Sequence, residues 1–135
     1  MNREKRAVRP RSFVFFAFVF FWLTLAGLGN MWAALSYPLK YNHVGINAGV
    51  FATVSALYGV TAAFVTIGFW RAGSRLPQAI LVWGASLLIG MIAFQAMTGI
   101  AGEPMWLVVL PHILFALLIW SLFRFAQRRI SPAAI

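Results

Sequence analysis

Cysteine is absent from this chain of 135 residues, and so is aspartate. Glutamate occurs twice, as Glu4 and Glu103. Without cysteine there is no disulfide, thiolate nucleophile or zinc–thiolate site. Glu4 precedes the first apolar run and Glu103 stands in the turn before the last, with none inside any run, so the sequence offers neither a carboxylate pair nor a buried acidic proton carrier. No Ser–His–acid set, glycine-rich phosphate loop or HExxH is present. Charge of either sign is scarce: 10% of the residues are charged, against about 25% in ordinary soluble domains.

Apolar residues fill the space that charge leaves. They make up 62% of the chain, with 13 Phe and 6 Trp. A water-facing surface cannot be built from this composition, so much of the surface must meet lipid. The formal net charge of +9 would suggest nucleic acid in a soluble protein. Here the basic residues sit only at the ends of apolar runs, which points to a membrane and away from nucleic acid.

A helix rises 1.5 Å per residue, so crossing a hydrocarbon core of about 30 Å takes about 20 residues. Four runs reach that length, at about 12–36, 47–70, 76–101 and 105–126. The first, Phe13 to Leu35, is longer than the roughly 7–15 apolar residues of a secretory signal and is read as a span. The connections, YPLKYNHVGI, RAGSR and GEP, are too short for a soluble domain. Short links make neighbouring helices antiparallel. The expectation is all-α: one membrane domain over 1–135, an up-down four-helix bundle.

The positive-inside rule orients it. Arg3, Lys5, Arg6, Arg9, Arg11, Arg71, Arg75, Arg124, Arg128 and Arg129 fall on one side, and Lys40 alone on the other. Both termini and the RAGSR turn are therefore expected in the cytoplasm, in a bacterial inner membrane. In the second run Gly45, Gly49, Ala52, Ala56, Gly59 and Ala63 recur at spacings of four and three. They predict a close-packing seam on a central helix. The first run, rich in Phe, is expected to face lipid broadly. Ser86, Gly90 and Ala93 form a shorter stripe on the third, and Pro111 predicts a kink in the fourth.

The residues that carry chemistry are polar ones inside apolar runs. Asn30, Ser55, Gln95 and His112, one from each run, fall roughly 9–12 Å below the outer boundary, and Asn47 stands at the start of the second run. Polar groups in hydrocarbon need partners, so these five are expected to face the interior and hydrogen-bond to one another. They are also the candidate lining of a pocket open to the outer side. No metal site and no cofactor is expected; His112 as an axial haem ligand, paired with His43, is the minor alternative.

NAGVFATVSALYG in the second run, the basic turn WRAGSR, the GEP turn and the basic C-terminal segment together resemble the DoxX-like group of small four-helix bacterial membrane proteins. The likeness covers about 47–129. Members of that group often carry an acidic residue early in the last helix, where this chain has His112. Some of the wider group are accessory subunits of quinone-linked oxidoreductases. The resemblance therefore implies a non-enzymatic accessory or interaction subunit with a membrane-protein partner. The alternative is a small homo-oligomeric transporter or channel that uses the polar pocket.

Overall fold

The computed structural model describes residues 9–99 and 103–130. Arg3, Lys5 and Arg6, and the expected extension of the third span to Ala101, lie outside the described residues. Five helices follow in order: α1 Arg11–Ser36, α2 Pro38–Asn42, α3 Ala48–Arg71, α4 Leu76–Thr98 and α5 Met105–Ile130. All but α2 are long and apolar enough to cross a membrane. The short α2 stands where a plain loop was expected. Pro38 opens it, because proline lacks only an N–H that a first turn leaves unused.

Phe13, near the start of α1, meets Phe69 near the end of α3 with ring centroids 5.2 Å apart. It also meets Phe125, near the end of α5, at 6.0 Å. The start of α1 and the ends of α3 and α5 thus share one end of the molecule, here termed the basic end. The opposite end carries α2.

The most extensive packing joins α1 to α3. On α1 the inward positions are Phe13, Ala17, Phe20, Thr24, Gly27, Met31 and Ala34, and on α3 they are Ala48, Ala52, Ser55, Gly59, Ala62, Thr66 and Phe69. Both series alternate spacings of four and three, the 3.5-residue period of a left-handed helix pair. The seam on α3 thus shares only Ala52 and Gly59 with the stripe expected from sequence. A Cβ on Gly49 would meet only the Asn47 Oδ1, at 3.4 Å, and Gly45 lies in the loop with φ +78°. Phe15, Phe18, Phe21 and Trp22 on the outer faces of α1 are exposed, in keeping with the broad lipid contact expected, while its other face forms half of the most extensive interface. At its centre a Cβ on Gly27 would lie 2.6 Å from the Gly59 Cα and 2.9 Å from the Ser55 carbonyl oxygen. Lipid removes the hydrophobic drive between helices, so close backbone approach of this kind supplies the van der Waals attraction that holds them.

At the basic end the space between helices is filled by rings. Phe20 packs edge-on against Trp83 at 4.8 Å, and Phe16 stacks on Phe69 at 5.2 Å. Gly84 on α4 receives Ile119 of α5, whose Cγ2 lies 2.5 Å from where a Cβ would stand. The α3–α4 turn closes with Ala72 in the left-handed region at φ 49°, and the Gly73 N–H donates to the Gly68 carbonyl at 3.1 Å.

The fourth span departs from a closed bundle. α5 packs along α4 and reaches α1 through Phe125 at the basic end. Ile119 and Ala126 are its only fully buried residues among those described. The helix continues through Pro111 without a break.

Candidate functional site

Toward the α2 end, α1, α3 and α4 enclose a cleft of about 280 Å³. Gly27 and Gly90 are among its lining residues. Its walls are Phe51, Val54, Leu87, Met91 and Phe94, and its polar groups come from Asn30, Ser55, Tyr58 and Ser86. Tyr58 lies 6.0 Å from the Trp83 ring, so the cleft ends where the aromatic packing begins. No charged residue lines it.

Two of the five expected site residues, Asn30 and Ser55, meet in this cleft. Asn47 lies apart from it and caps α3: its Oδ1 accepts from the Val50 N–H at 3.0 Å. That is an ordinary N-cap, satisfying a donor that the first turn of a helix leaves free. Gln95 is half-buried on α4 and is not part of the cleft wall. His112 is on α5, also outside the wall. Its Nδ1 donates to the Val108 carbonyl at 2.8 Å. A carbonyl only accepts, so Nδ1 carries the proton and a neutral ring presents Nε2 as an acceptor. Nε2 is buried and has no partner.

The expected network between helices is not formed. Hydroxyls satisfy themselves on their own helix: Thr24 donates to the Phe20 carbonyl, Thr61 to Leu57, Thr66 to Ala62 and Ser86 to Val82, all at 2.8–2.9 Å. Among the described residues no side-chain hydrogen bond joins two of the four spans, and Asn30, Ser55 and Gln95 make none at all. The physical reason is distance. A Ser or Thr hydroxyl is always within reach of the carbonyl four residues back, whereas a neighbouring span lies beyond the apolar side chains that separate the axes. Ser55 is the exception that matters, since it is 7% exposed and leaves its hydroxyl free on the cleft wall.

Sequence reasoning missed Tyr58, Ser86 and Trp83 as a group. Trp83 is 4% exposed, and its indole N–H reaches no acceptor in hydrogen-bond geometry. The signal was available: Tyr and Trp normally hold their polar tips at the membrane interface, and these two stand in mid-span. A haem at His112 does not fit the arrangement, because Nε2, the nitrogen left to ligate, is enclosed, and His43 is an exposed residue beyond α2. Among the described residues no three His, Cys, Asp or Glu side chains converge as a metal site would require.

Compared with protein-family models, with curated proteins and with solved structures, the chain matches none of them.

Proposed function

We propose that the protein is a multi-pass subunit of a bacterial inner membrane, with both termini in the cytoplasm, that holds a membrane-protein partner through α5 and catalyses no reaction itself. The clustering of Arg9, Arg11, Arg71, Arg75, Arg124, Arg128 and Arg129 at one end supports the orientation. The state of α5 supports the docking role. Only 6% of its most apolar stretch is buried, against 33% for α3. Lipid alone would cover such a helix at no cost, so apolar exposure is not the argument. The argument is two acceptors within about one turn, one without a donor among the described residues and one that loses its usual donor within the helix. Nε2 of His112 is enclosed without a partner. The Leu107 carbonyl loses its usual donor because Pro111 has no N–H. Hydrocarbon offers neither of them a hydrogen bond. A partner helix bearing Ser, Thr, Asn or Trp donors would satisfy the Leu107 carbonyl, and would reach His112 Nε2 only by displacing the side chains that enclose it. The DoxX-like resemblance makes a quinone-linked oxidoreductase the first partner class to seek.

The decisive experiment is purification from native membranes in mild detergent, with quantitative mass spectrometry of what accompanies the chain, for the wild type and His112→Leu. A partner at fixed stoichiometry that is depleted with His112→Leu supports the reading. Recovery of the wild type as a homo-oligomer without other proteins refutes it. That second outcome would favour transport, the reading that the cleft of Asn30, Ser55 and Ser86 supports. Transport would need several copies or a large rearrangement, because Phe20, Phe69 and Trp83 block the path toward the basic end.

A further inference from the structure

We propose that the basic end of α5 is a binding site for the phosphate headgroup of an anionic phospholipid. Trp120, Ser121, Arg124, Phe125, Arg128 and Arg129 line one groove of about 530 Å³. They are pairs of neighbours repeated every four residues, so they form one continuous stripe on a single helix face. The groove therefore belongs to α5 alone and opens sideways toward lipid.

Its chemistry is that of a phosphodiester. Three guanidinium groups converge on one stripe, and guanidinium matches phosphate oxygens with paired N–H donors. Arg129 lies over the Phe125 ring at 5.7 Å, which fixes its plane without consuming its donors. Arg124 donates from Nη1 to the Gln127 Oε1 at 3.3 Å, a neutral partner that leaves its charge uncompensated. The only carboxylate among the described residues, Glu103, precedes the other end of the same helix. The Ser121 hydroxyl donates to the Leu117 carbonyl at 2.8 Å, so the arginines carry the anion recognition. Trp120 is 55% exposed and Leu117 58% exposed; together they continue the stripe into the apolar span as a track for an acyl chain. A soluble anion would use the guanidiniums but not that track. The combination commits the site to a lipid.

Positive residues also cluster at this end for topology alone, so the test must separate a site from diffuse charge. Arg71 and Arg75, in the α3–α4 turn, line a different groove at the same end and provide that comparison. The full chain, delipidated in detergent, is titrated with phosphatidylglycerol and phosphatidylcholine, and bound lipid is counted by native mass spectrometry. Arg124→Gln/Arg128→Gln and Arg71→Gln/Arg75→Gln remove the same charge. At about 1.5 kcal/mol for each arginine held in a charge-assisted contact to phosphate, the first pair should weaken phosphatidylglycerol binding on the order of 100-fold, and the second pair, outside the groove, should weaken it by less than about threefold. Equal losses in the two variants would overturn the proposal in favour of diffuse attraction, as would equal binding of phosphatidylcholine by the wild type. Competition by millimolar inorganic phosphate would overturn the commitment to lipid. Thermal unfolding in the same detergent checks that the variants are folded, and Arg124→Lys/Arg128→Lys, which keeps the charge but not the paired guanidinium donors, should bind less tightly than the wild type and more tightly than the glutamine pair.

Discussion

Adding one methyl group to Gly27 should damage the fold, whereas adding it two residues away should not. A Cβ at Gly27 would meet the Gly59 Cα at 2.6 Å, the Gly59 nitrogen at 2.7 Å and the Ser55 oxygen at 2.9 Å. All three are backbone atoms, so no side chain can rotate away, and α1 and α3 must separate. Ordinary carbon contacts lie near 3.5–4.0 Å, so the axes must part by about 1 Å at the crossing. A gap of that size forfeits a quarter to a half of each contact's attraction along the seam. Overpacking of this kind costs about 1–3 kcal/mol, offset by up to about 1 kcal/mol for replacing glycine in a helix. Gly27→Ala is therefore expected to destabilise by about 1–2 kcal/mol. Gly29 is in the same helix, and a Cβ there meets nothing within 4 Å. Gly29→Ala has the same propensity gain without the clash and should be neutral or stabilising by up to about 1 kcal/mol. Reversible unfolding of the purified protein in mixed micelles, followed by far-UV circular dichroism, measures both. If the two variants unfold together, the close α1–α3 crossing is wrong, and with it the account of what holds this fold.

Two further substitutions test other joints by the same unfolding assay. Ala72→Gly should stabilise by about 0.5–1 kcal/mol, because the left-handed φ of 49° strains alanine and suits glycine; a loss of stability would show that the turn is not held in that conformation. Gly84→Ala should destabilise by about 1–3 kcal/mol through contact with Ile119, and Ile119→Ala in the same chain should restore part of that loss; simple additivity of the two would mean that α4 and α5 do not touch there.

What the sequence determined by itself is the set of spans. Hydrocarbon thickness and helical rise demand about 20 apolar residues per crossing, and the runs supply them with boundaries close to Arg11–Ser36, Ala48–Arg71 and Leu76–Thr98. The short RAGSR turn brought α3 and α4 together as neighbours for the same elementary reason. Which faces meet was decided only in three dimensions. In a soluble helix the apolar stripe marks the inside, but every face of these spans is apolar, so periodicity alone left two phases for α3. The stripe through Gly49 and Ala56 was visible in sequence; the one through Ser55, Gly59 and Ala62 prevailed because Gly59 must cross Gly27, a residue about thirty positions earlier. The candidate site divides in the same way. The depth of Asn30, Ser55, Gln95 and His112 followed from counting residues. Their partners did not: His112 turns to a carbonyl of its own helix, and Asn30, Ser55 and Gln95 make no hydrogen bond among the described residues. The structure then grouped Asn30 and Ser55 with Tyr58 and Ser86 around a cleft, gave Asn47 to the start of α3, and set His112 on the span that its own chain covers least.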